Sequence, residues 1–171
     1  LSTTSATFTI VDTTNPSIDT AATNATVECN GSGNTTEVNA WLAAHGGASA
    51  SDICSSVTWS NNFSALSDGC GATGSSLVTF TAVDACGNLS TTSATFTIVD
   101  TTAPSLTASA TNATVECDGA GNTAALNDWI AAHGGATATD DCSAVSWTNN
   151  FSSLSDLCGA PGSSTVTLGA V

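Results

Sequence analysis

The side chains able to do chemistry in this 171-residue chain are seven cysteines, two histidines and fourteen carboxylates, with no lysine or arginine. Cysteines stand at 29, 54, 70 and 86, then at 117, 142 and 158, each of the second set 88 positions after its counterpart. Fixed spacing of this kind reads as a disulfide framework, and hence as an oxidising compartment. Zinc is disfavoured, because no C-x-x-C occurs and one histidine accompanies each set. Calcium is the ion that junction and turn aspartates would take: Asp12, Asp84 and Asp100 are the candidates, with Asp140 and Asp141 as an acidic pair. Against it, no D-x-D-x-D-G loop is present, and aspartates in turns commonly bond nearby backbone amides. The expectation is therefore no cofactor. An enzyme is the weakest class, for no G-x-S-x-G, H-E-x-x-H or phosphate loop exists. His45 and His133 fall at helix ends, where a histidine meets the helix C-terminus favourably. No catalytic residue is expected.

The elements that must position these groups come in duplicate. Sliding the chain by 88 positions aligns residues 1–83 with 89–171 without a gap, and 59 of the 83 pairs are identical. Residues 2–14 and 90–102 share one sequence, STTSATFTIVDTT, letter for letter. Ala94, Phe96 and Ile98 alternate with hydroxyl residues at a period of two, which predicts a strand. It follows the strand SSLVTFTAV (75–83) across the turn DACGN (84–88), so it reads as the last strand of a module. After NATVEC (24–29), another strand, the period changes: Val38, Trp41 and Leu42 lie at helical spacing. Asn34 with Glu37 makes a capping-box pattern, and Gly46 with Gly47 makes the stop. In the second copy Asn122, Leu126, Trp129 and Ile130 keep the helix, while Ala125 replaces the glutamate. Val57 and Trp59 alternate inward on a further strand, as do Val145 and Trp147.

Six or seven short strands with one helix per period predict a mainly β chain of two tandem immunoglobulin-like β-sandwich modules, each with a short inserted helix and disulfides. Residues 1–14 form an N-terminal strand and linker, 15–102 the first module, and 103–171 a second module without its last strand. A formal net charge of −14 excludes nucleic acid and anionic membrane surfaces as partners. No apolar run reaches the roughly 18 residues of a membrane span. Taken as a set, TVEC, SDIC, VTFTAVDACGN and TFTIVDTTAP resemble the hyalin-repeat-like immunoglobulin-type modules of bacterial surface, adhesin and pilus-like proteins. That resemblance implies an extracellular, cell-surface location, a sandwich fold and a stalk or adhesive role without catalysis.

A sandwich without its last strand exposes unpaired backbone groups and an open core, which invites another strand. The expectation is a head-to-tail homopolymer in which Ala6, Phe8 and Ile10 of one subunit enter beside Val166, Leu168 and Val171 of the next. The alternatives are a segment of a long covalent tandem-repeat adhesin, or an array of carbohydrate-binding modules that takes surface glycans. Four cysteines allow three connectivities. The pairing favoured here joins Cys54 with Cys86, two loops at one end of the sandwich, and Cys29 with Cys70. Cys117 with Cys158 follows by the repeat, and Cys142 is left unpaired or joined outside the chain. Thr13, Thr20 and Thr101 lie in D-T-x triplets that resemble the acceptor of bacterial O-glycosylation.

Overall fold

The chain folds as mainly β structure, and the computed structural model describes residues 1–67, 69, 71–155 and 162–171. It divides into two units, Leu1–Asp100 and Thr101–Val171. The first unit contains β1 (Ser17–Thr20), β2 (Ala25–Glu28), α1 (Thr35–Ala43), β3 (Ser49–Ser51), β4 (Thr58–Asn61), β5 (Gly74–Val83) and β6 (Leu89–Val99). Four of these strands form one sheet in the order β2-β6-β5-β4, with β2 parallel to β6 and the other pairs antiparallel. β1 and β3 make a separate antiparallel ribbon.

The alternation in the sequence decides what is inside. Val78, Phe80 and Ala82 of β5 and Ala94, Phe96 and Ile98 of β6 are all buried, and the hydroxyl residues between them are not. Burial of each Val, Ile or Phe side chain contributes about 1.5–3 kcal/mol. α1 closes over these residues through Trp41, whose ring lies 5.2 Å from Phe80 edge-on and 5.4 Å from Phe96. The indole N–H of Trp41 donates to the Thr23 carbonyl at 3.2 Å, so the ring is satisfied at both its apolar and polar parts. The glycine stop holds: Gly46 has φ +65°, and a Cβ there would sit 3.1 Å from the Phe80 ring.

The capping box does not form. Asn34 takes the N-cap position in the left-handed region (φ 49°) and makes no side-chain cap bond. Its amide is instead buried beneath the preceding turn, accepting from the Asn30 N–H and donating to the Glu28 carbonyl at 2.9 Å. Glu37 is left with a buried Oε2 that has no hydrogen-bond partner. Asn122 repeats the arrangement, with its amide donating to the Glu116 carbonyl at 2.8 Å. Asparagine tolerates left-handed backbone, and here its amide ties the turn back to β2 instead of capping the helix.

The second unit contains β7 (Ser105–Ala108), α2 (Thr123–Ala131), β8 (Thr137–Thr139), β9 (Trp147–Asn149) and β10 (Leu168–Ala170). β7 pairs with β8 and β9 with β10, both antiparallel. Residues 113–116 have the same sequence as β2, yet they form no strand and are exposed. In the first unit that stretch bonds along β6, and among the described residues the second unit has no counterpart of β6.

Candidate assembly site

One sequence sits in two environments. Phe96 and Ile98 in β6 are 1% and 2% exposed, whereas Phe8 and Ile10, in the identical stretch at the N-terminus, are 89% and 85% exposed. Ala6 is exposed as well, and residues 1–11 form no sheet. Their alternation, Ala6, Phe8, Ile10, is nevertheless that of a strand with one apolar face. An apolar row of this size held in water is unusual for a folded chain.

Among the described residues, the second unit is open where the first is closed by β6. A cavity of about 340 Å³ is lined by Ala113, Val115, Leu126, Trp129, Leu154 and Ser164 among others. Val115, Leu126 and Trp129 are the repeat counterparts of Val27, Val38 and Trp41, of which Val27 and Trp41 lie against β6 in the first unit and Val38 is buried. Val166 and Leu168 are half-buried where their counterparts Val78 and Phe80 are fully enclosed. α2 buries none of its residues, although its face repeats that of α1. Val171 is exposed, and its backbone pairs with that of Ser146 beyond the end of β9 at 2.8 and 2.9 Å.

Of the aspartates named from the sequence, Asp12, Asp84 and Asp140 accept from backbone N–H groups of nearby turns. Asp84 is buried, and its Oδ1 accepts from the N–H groups of Cys86 and Asn88, both at 2.8 Å, while Oδ2 accepts from the Asn88 amide at 2.7 Å. Desolvation pushes its carboxyl up, but the bonds from Asn88, Cys86 and Gly87 outweigh that and hold it below the usual aspartate range. Asp12 accepts from the Thr14 N–H at 3.0 Å, and its Oδ2 is buried without a hydrogen-bond partner. Asn88 reaches from Asp84 to the Asp12 carbonyl at 3.4 Å, fixing the root of the N-terminal stretch. Asp52, which the sequence reading passed over, brings a carboxylate oxygen within 4.8 Å of those of Asp12 and of the Cys54 sulfur. The D-x-C spacing shared by Asp52-Cys54 and Asp140-Cys142 was the available signal. Asp100 is the last residue of the first unit.

The cysteines depart from the expected pairing. Cys29 and Cys142 are each engaged in a disulfide, which agrees with the expectation for Cys29 and departs from it for Cys142, since Cys142 is not left unpaired. Cys54, Cys86 and Cys117 are free, exposed thiols, and Cys70 and Cys158 lie outside the described residues. For Cys117 the reason is local. Cys29 is held by its N–H donating to the Val99 carbonyl at the end of β6, and among the described residues the stretch leading to Cys117 has no such strand beside it.

The histidines are positioned by stacking rather than by the helix terminus alone. His45 (φ 54°) and His133 (φ 53°) both adopt left-handed backbone, and their rings lie flat against Trp59 at 4.9 Å and Trp147 at 4.5 Å. The sequence reading missed this contact because it joins residues fourteen apart. Thr13, Thr20 and Thr101 are exposed. No helix among the described residues is long and apolar enough to cross a membrane. Comparison with known proteins finds no family model that matches the chain and no matching curated protein.

Proposed function

We propose that the chain is a structural subunit of an extracellular bacterial filament, a pilus, stalk or matrix fibre, made of immunoglobulin-like sandwich modules joined head to tail by strand donation. The observation that carries this is the contrast between Phe96, enclosed in β6, and Phe8, exposed in the same sequence, together with the open cavity in the second unit. The sheet order β4-β5-β6 with Trp59 on β4 supports the immunoglobulin-like reading, since those strands and that tryptophan correspond to the C-F-G sheet of such sandwiches.

The first unit supplies the register. Ala94 faces Val78, Phe96 faces Ser76 and Ile98 faces Gly74, while Phe96 and Ile98 also lie beside Ala25 and Val27. Moved by one repeat, Ala6 faces Val166, Phe8 lies between Ser164 and Ala113, and Ile10 between Gly162 and Val115 of the receiving copy. Residues 113–116 then become a strand, because the donor provides the backbone partner that β6 provides to β2.

A second reading also has an observation behind it. β6 closes the first unit within one chain and leads straight to the second unit, as in a covalent tandem array. Phe8→Asp with Ile10→Asp separates the two. Strand donation requires that the double variant keep the melting behaviour of the parent chain yet lose filaments in electron micrographs. Filaments of parental length from the double variant would sink strand donation, and a filament mass surviving denaturant and reductant would establish the covalent array.

A further inference from the structure

The turn between β2 and α1 carries two polar atoms that its fold does not use. Asn30 Oδ1 accepts from the N–H groups of Ser32 at 2.9 Å and Asn34 at 3.1 Å, which closes the turn. Gly31 (φ 69°) and Gly33 (φ 77°) bend it through left-handed backbone. The second copy builds the same turn on Asp118, whose Oδ1 accepts from Ala120 at 2.8 Å and Asn122 at 3.0 Å, with Gly119 at φ 72° and Gly121 at φ 84°. Aspartate therefore serves this turn as asparagine does, and alanine as serine does. What the first copy adds is the amide nitrogen of Asn30 and the hydroxyl of Ser32. Both residues are exposed, and neither Asn30 Nδ2 nor Ser32 Oγ hydrogen-bonds to a described residue. With Oδ1 turned into the loop, Nδ2 on the other side of the planar amide faces out of it.

Those two atoms are the ones an N-x-S/T sequon requires, the amide nitrogen as nucleophile and the hydroxyl two positions later. Asn30-Gly31-Ser32 is such a sequon, and its counterpart Asp118-Gly119-Ala120 is not. Bacterial oligosaccharyltransferases also bind an acidic side chain two positions before the asparagine. Of the seven sequons in the chain, Asn30 alone has one, the exposed Glu28 at the end of β2. Two of the others are closed by the fold as well: Asn34 is buried, and the amide nitrogen of Asn88 donates to Asp84 at 2.7 Å. We infer that Asn30 is an N-glycosylation site, the acceptor of one oligosaccharide from a polyprenyl-pyrophosphate carrier. Nδ2 attacks C1 of the first sugar, a C–N bond forms, and the bond from C1 to the carrier oxygen breaks. The electron pair leaves with the pyrophosphate, and one Nδ2 proton passes to a carboxylate base of the transferase. Glycosylation at Asn30 rests on the exported, bacterial setting of the proposed function and not on strand donation.

The test is export of the full chain from a bacterial host that carries an oligosaccharyltransferase of this acidic specificity and a lipid-linked oligosaccharide of known mass. Intact mass is then measured, and peptides are mapped after cleavage at aspartate, since trypsin has no site. The parent chain should gain one glycan mass, carried on Asn30. Glu28→Gln and Asn30→Asp should each abolish the gain, and Asn30→Asp should keep the parent's urea midpoint, because Asp118 holds the same turn. Asp118→Asn with Ala120→Ser should install a second acceptor two positions after Glu116 and double the added mass. An unmodified parent chain, transfer that survives Glu28→Gln, or a glycan on another asparagine would overturn the site. Phe8→Asp with Ile10→Asp should carry the same glycan, so failure of glycosylation and failure of strand donation read separately.

Discussion

Phe96 lies 5.4 Å from Trp41, and that pair joins the last strand of the first unit to its helix. Trp129, the counterpart of Trp41, has its indole N–H bonded to the Thr111 carbonyl at 3.1 Å as Trp41 has to Thr23, but its ring lines an open cavity. The indole is therefore held in place whether or not an aromatic ring arrives against it.

A synthetic peptide of residues 1–14 should bind the second unit and place Phe8 against Trp129. Tryptophan emission should shift to the blue on titration. The peptide with Phe8→Ala should bind about two orders of magnitude more weakly, the lower end of what truncating a buried phenylalanine costs, about 3–5 kcal/mol. Equal affinities for the two peptides would show that Phe8 is not enclosed.

Gly46→Ala should destabilise the first unit by about 1–3 kcal/mol, combining left-handed backbone with crowding against Phe80 at 3.1 Å and Ala22 at 3.2 Å. Gly33→Ala, at φ +77° with nothing within 4 Å, carries the backbone term alone, about 1 kcal/mol. Urea midpoints measure the difference, and a Gly46 variant as stable as the Gly33 variant would contradict the packing argument.

Asp84 makes the first unit acid-sensitive. Its folded carboxyl titrates below the value of 3.8 for a free aspartate, so the stability it contributes is present above that value and is lost as pH falls through the lower, folded one. Asp84→Asn should lower the urea midpoint near neutral pH and flatten its decline in acid. Asp118 and Asp140, held low mainly by the N–H groups of residues 120 and 122 and of Cys142 and Ser143, give the second unit the same sign. Parallel pH profiles for parent and Asp84→Asn would remove Asp84 from this role.

The parts legible in the sequence were those that a residue decides with its neighbours in the chain. The alternation through Ala94, Phe96 and Ile98, the helix face through Val38 and Trp41, and the glycine stop at Gly46 all fold as their spacing predicts. Asn34 was misread because the same asparagine can cap a helix or take left-handed backbone, and the choice rests on the Glu28 carbonyl six residues back. The stretch ATVE shows a deeper limit. It is a strand at 25–28 and not at 113–116, and no property of those four residues differs. The cysteine partners and the His45–Trp59 stack likewise depend on which loops meet at a sheet end, which local periodicity does not encode.

The hairpin of β5 and β6 also sets how the first unit bears a load. β6 is matched residue by residue against β5 from Leu89 to Ile98, and against β2 from Phe96 to Val99. Tension applied through Asp100 pulls β6 along its own length, so these bonds are sheared together instead of being peeled one after another. Rupture then requires the whole ladder to slip at once, dragging Phe96 away from Trp41. The unit is built to resist stretching along the chain far better than prying across it.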